Sequence, residues 1–81
     1  MSDRPLKVLI IEDDPVSGLL VEKTLAFEKA RPFETVWVQS LADALIRLES
    51  ESFAVVVLDL NLPDSKGITT FHRVAEAAAD A

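Results

Sequence analysis

Four acids in this chain are placed where they could act together. Glu12, Asp13 and Asp14 directly follow the apolar run LKVLII (Leu6 to Ile11), and Asp59 directly follows FAVVVL (Phe53 to Leu58). If the two runs are neighbouring strands, their ends bring Glu12, Asp13 and Asp59 into one pocket. Carboxylates at close range repel, so at neutral pH they require a cation or a raised pKa. A few oxygen ligands without thiolates suit Mg²⁺, which keeps several waters and often serves phosphoryl groups. With a metal offsetting the charge, Asp59 fits the part of a nucleophile that accepts a phosphoryl group. Solvated loop acids are the plain alternative, and for Glu12 or Asp14 alone that reading is preferred. The combination with Asp59 and the turn after it favours a site.

The elements that must position these acids are legible from pattern. Unbroken apolar, β-branched runs are what strands of a parallel sheet covered on both faces look like. Ligands of open α/β sheets bind beyond the carboxyl ends of such strands. Asn61, Pro63, Asp64 and Gly67 turn the chain after Asp59 into a loop. Asp14 and Pro15 open a helix as cap and first residue, with an expected end near Ala30 before Pro32. Val16, Leu19, Leu20 and Phe27 form its expected sheet-facing stripe, and Val21 and Leu25 a second row about a third of a turn away. Phe33 to Gln39 is β-rich but less uniformly apolar, which suits an edge strand. Ser40 with Asp43 signals the start of a helix whose Leu41, Ala44, Leu45 and Leu48 share a face. After Gly67 a last helix carries Ile68, Phe71, Ala75 and Ala78 on one side. The order is βαβαβα, and alternating strands and helices imply parallel strands joined by right-handed crossovers.

Composition narrows the function. Residues 1–81 are expected to form one domain, with 1–5 a disordered leader. A net charge of −6 argues against direct nucleic-acid binding, which needs clustered Lys and Arg. Cysteine is absent, which excludes disulfides and thiolate metal sites and fits a reducing compartment. No apolar run approaches the roughly 18 residues of a membrane span, and no secretory signal is evident. The expected location is the cytoplasm, with no membrane association. Lys66 reads as a solvated loop residue, His72 has no companion ligand at metal-binding spacing, and Trp37 reads as edge-strand packing.

The pieces IIEDD and LDLNLPDSKG, with Pro63 four and Gly67 eight residues after Asp59, carry a family resemblance. The chain resembles the N-terminal three-fifths of a response-regulator receiver domain, the flavodoxin-like module of two-component signalling. The resemblance implies a three-layer α/β fold, a truncated βαβαβα with strand order 2-1-3. It implies Asp59 as phosphoacceptor and Glu12 and Asp13 as the acidic pair holding Mg²⁺, Glu12 through water. Asn61 would offer its backbone carbonyl to the metal, and the donor would be a histidine kinase or phosphotransfer protein. The Ser or Thr and the Lys that the family carries after its fourth and fifth strands have no counterpart here.

The resulting expectation is a phosphoacceptor module of a bacterial phosphorelay, not a metabolic enzyme. An interaction or dimerisation module derived from a receiver is the alternative. A phosphatase similar to the haloacid dehalogenases is disfavoured, since that class has an acid two residues after its nucleophile and this chain has Asn61. A homodimer is also expected, its partner covering the Phe53 to Leu58 edge, an exposed Val21 and Leu25 row, or both.

Overall fold

The computed structural model describes residues 6–27, 33–59 and 61–79. The run LKVLII becomes strand β1 (Leu6–Ile11), the centre of a three-stranded sheet. Its residues Val8, Leu9, Ile10 and Ile11 are all buried, because helices cover both faces and alternation offers no polar side. Helix α1 (Pro15–Ala26) follows, then strand β2 (Phe33–Val38), helix α2 (Leu41–Ser50) and strand β3 (Val55–Leu58). Strands β2 and β3 both pair with β1 in parallel, giving the order β2-β1-β3. The expected order 2-1-3 is therefore the observed one. Met1–Pro5 and residues 28–32, with the expected helix end at Ala30 and stop at Pro32, lie outside the described residues.

Most of the core lies between the sheet and α2. Leu9, Ile11 and Val38 meet Leu41, Ala44 and Leu48, with Leu45 packed alongside, so the expected face of α2 is the buried one. The segment after Asp59 is more ordered than a loop. It forms a two-strand antiparallel hairpin, β4 (Asn61–Leu62) and β5 (Ser65–Lys66), before α3 (Ile68–Ala79). Gly67 makes the turn into α3 with φ 66°, a conformation that glycine adopts without steric cost.

Two helix faces differ from expectation. On α1, Val16, Leu20 and Phe27 are 67%, 61% and 78% exposed, with Leu19 also exposed. Gly18 is buried instead, with Val21 and Leu25 half-buried, so the row expected to be uncovered is the one turned inward. The cause is a close approach. The Trp37 indole of β2 lies so near Gly18 that a Cβ there would collide with it. Positions i+3 and i+7 from Gly18 then follow it toward the sheet. On α3 the buried residues are Thr70 and Val74, with Ala77 partly buried, while Ile68 and Phe71 are exposed. The hairpin sets this rotation: the hydroxyls of Ser65 and Thr70 share a 2.6 Å hydrogen bond, which gives the buried Thr70 a partner.

Strand β3 starts at Val55, two residues later than expected, although Ala54 N–H still donates to the Lys7 carbonyl at 2.8 Å. Phe53 packs against the core and carries the Lys7 ammonium 5.2 Å from its ring centroid. Lys7 also pairs with Glu51 at 2.6 Å, and Arg47 meets the same carboxylate at 2.7 Å. This cluster ties the amino end of β1 to the end of α2, far from the acids.

Candidate functional site

The register pairs Ile11 of β1 with Leu58 of β3, so the next residue on each strand, Glu12 and Asp59, emerge side by side. Asp59 N–H donates to the Ile11 carbonyl at 2.9 Å, and Glu12 N–H to the Val38 carbonyl at 3.0 Å. One carboxylate oxygen each from Glu12, Asp13 and Asp59 lies within 4.8 Å of the others. An octahedral ion with bonds of about 2.1 Å holds its ligand oxygens roughly 3 to 4 Å apart, a contraction that side-chain torsions at strand ends can supply. An all-oxygen set suits a hard cation, so the residues present fit Mg²⁺.

The electrostatics agree with the crowding. The Glu12 carboxyl is pushed up to about 7, first by loss of solvation, then by its hydrogen bond with Asp59 and the charges of Asp59, Asp13 and Asp14. A nearby cation would remove that repulsion. Beside the acids, a groove of about 250 Å³ between α1 and β3 is lined by Ser17, Val21, Val57 and the acids Glu12 and Asp59.

Asp14 does not join the cluster. Its carboxylate caps α1, accepting from the Ser17 hydroxyl at 2.7 Å and the Ser17 amide at 3.2 Å. Those bonds hold its pKa below the ordinary aspartate value. Asn61 lies two residues beyond Asp59, its backbone paired with Lys66 across the hairpin. His72 instead meets Phe71 edge to face, with centroids 5.7 Å apart.

Three supporting residues escaped the sequence reading. Asp64, read only as a turn former, reaches across to the start of α2 and accepts from Leu41 N–H at 2.8 Å and Ala42 N–H at 2.9 Å. Ser40 takes the next amide, that of Asp43, so three of the four orphan donors of that helix are satisfied. Asp64→Ala should lower Tm by roughly 5 °C, measured by thermal denaturation at pH 7. An unchanged Tm would mean that water caps the helix equally well. Leu62 is fully buried in the core cluster, although nothing in a Pro- and Asp-containing turn signals it. Trp37 donates its indole N–H to the Glu12 carbonyl at 2.8 Å. Its place on the strand beside the acids was the available signal.

Parallel strands in the order β2-β1-β3, helices on both faces and acids gathered at the strand ends define a flavodoxin-like α/β module. The family profile described as the response regulator receiver domain matches residues 8–81, and the chain belongs to that family, a signalling module of two-component systems. The chain is 31% identical over 72 residues to the transcriptional activator protein IrlR of Burkholderia pseudomallei, covering 89% of this chain and 30% of that protein. It is 36% identical over 72 residues to the sensor protein TorS of Escherichia coli, covering 88% of this chain and 8% of that protein. A solved structure, the MaeR response regulator bound to beryllium trifluoride, superposes with a TM-score of 0.74 at 33% identity. That match covers 90% of this chain and 61% of the other. The chain thus spans about 30% of the length of the first of these relatives.

Proposed function

We propose that Asp59 accepts a phosphoryl group from the phosphohistidine of a histidine kinase or phosphotransfer protein, with Glu12, Asp13, Asp59 and the Asn61 carbonyl holding Mg²⁺. The observation that carries this reading is the convergence of three carboxylate oxygens within 4.8 Å at the ends of adjacent strands. Transfer forms a bond between an Asp59 carboxylate oxygen and phosphorus and breaks the phosphorus–nitrogen bond. The leaving imidazole keeps the electron pair. Bound Mg²⁺ would supply charge neutralisation for carboxylate and phosphoryl oxygens. The chain's own part is positional: β1 and β3 hold the acids in register, and the bonds of Asp64 and the burial of Leu62 fix the segment after Asp59.

Treatment with acetyl phosphate and Mg²⁺, followed by peptide mass spectrometry, tests the proposal. A phosphoryl adduct is expected on Asp59 and should be lost in Asp59→Asn. Labelling elsewhere with none on Asp59 would reject it. For the homodimer, the supporting surface is the β3 edge, where Val55 is 45% exposed, beside an apolar groove lined by Val56, Leu58 and Phe71. Val21 and Leu25, half-buried on the inward side of α1, do not contribute.

A further inference from the structure

We infer that Trp37 is a positioning residue for the acid pocket, and that Gly18 is what allows it to be one. The inference rests on the proposed metal role of Glu12 and Asp13. Pairing of β1 with β2 ends at Ile11 and Val38, so beyond Ile11 the ladder alone no longer orients the chain. There β2 holds both backbone polar groups of Glu12: its N–H donates to the Val38 carbonyl at 3.0 Å, and its carbonyl accepts from Trp37 Nε1–H at 2.8 Å. The Glu12 carbonyl and the Asp13 amide belong to one rigid, planar peptide unit. The indole therefore sets the plane from which the Glu12 and Asp13 side chains diverge.

Trp37 is itself fixed by α1. The atoms that a Cβ on Gly18 would strike belong to the indole and include Nε1, the donating atom. Any side chain at position 18 would displace the ring and pull the donor from the Glu12 carbonyl. A partly buried indole N–H favours some acceptor, so packing alone could account for a bond. What packing does not account for is the choice of acceptor, the single carbonyl between two acids of the cluster. Outer-shell hydrogen bonds of this kind orient metal ligands and tune affinity.

The test uses the full chain, Trp37→Phe, which keeps a ring and removes the donor, and Gly18→Ala, which keeps the donor and moves it. Two readouts are taken on each: Mg²⁺ affinity by calorimetry, and the backbone order parameter of the Asp13 amide in metal-free protein by ¹⁵N relaxation. Both variants should bind Mg²⁺ roughly three- to tenfold more weakly. Both should also show the Asp13 amide falling from the rigid range of about 0.85 toward the flexible range. An unchanged affinity with an unchanged order parameter overturns the inference. If the wild-type chain takes up no Mg²⁺ at millimolar concentration, the metal reading fails separately. The Asp13 amide then decides alone, loosened in support or unchanged in refutation. Should Trp37→Phe fail to fold, Gly18→Ala carries both readouts.

Discussion

Leu62→Ala is expected to cost about 2–5 kcal/mol of folding stability, the usual range for truncating a fully buried leucine. Leu62 has no exposed surface and belongs to the same core cluster as Leu41, Ala44 and Val74, so it joins the segment after Asp59 to the sheet and both neighbouring helices. A domain of this size commonly has only about 5–15 kcal/mol in total, so the loss should be plain in urea titration. Leu62→Met, which nearly conserves volume, should cost less than about 1.5 kcal/mol. Hydrogen exchange at residues 61–67 should accelerate more in the alanine variant than exchange in β1. A loss below about 1 kcal/mol for Leu62→Ala, by the same scale, would show that the hairpin is held by the polar contacts of Asp64 and Ser65 instead.

Acidification should strip Mg²⁺ from the site well above the pH at which ordinary carboxylates protonate. With the Glu12 carboxyl raised to about 7, a proton competes with the metal throughout the mildly acidic range. Affinity should approach a tenfold fall per unit well below that point, and drop about 15-fold between pH 7 and pH 5.5. Glu12→Gln should flatten this dependence in calorimetry at several pH values. A profile equally steep in the variant would assign the proton to another group. Without metal, the sign for stability is opposite. A raised carboxyl favours folding in its protonated form, so its contribution is full below about 4.5 and disappears as pH rises through about 7. The lowered carboxyls of Asp14, Glu51 and Asp64 contribute in the other sense, stabilising above their unfolded pKa values and losing that effect in stronger acid. Metal-free protein should therefore melt highest in mild acid. Added Mg²⁺ should raise Tm at pH 8 and leave it unchanged at pH 5.

What the sequence disclosed, and what it withheld, follows from how each residue does its work. The strand ends were legible because a run such as LKVLII is apolar whichever face it presents, and an acid directly after it can lie only at the strand's end. Caps at Asp14 and Ser40 were legible because their bonds are local. Asp64 acts across 23 residues of sequence, and spacing alone gives no hint of such a partner. Leu62 was hidden by its surroundings, since Pro63 and Asp64 mark an exposed turn while the residue before them points inward. On α1 the apolar residues lie on nearly all sides, so counting them could not choose a face. The residue that decided it, Gly18, has no hydropathy to count.

That last point bears on how the chain reaches a single native arrangement. A helix greasy on two sides can settle on a sheet in more than one rotation with similar burial, which is the kind of near-degeneracy that roughens a folding landscape. Val16, Leu19 and Leu20 would cover the sheet about as well as Val21 and Leu25 by hydrophobicity alone. Shape breaks the tie. Only the rotation that presents Gly18 lets the Trp37 ring approach the helix backbone so closely, so one absent methyl group works as a key that fits a single lock. Specificity here is encoded as a hole, and filling it would leave α1 a choice that the native sequence does not offer.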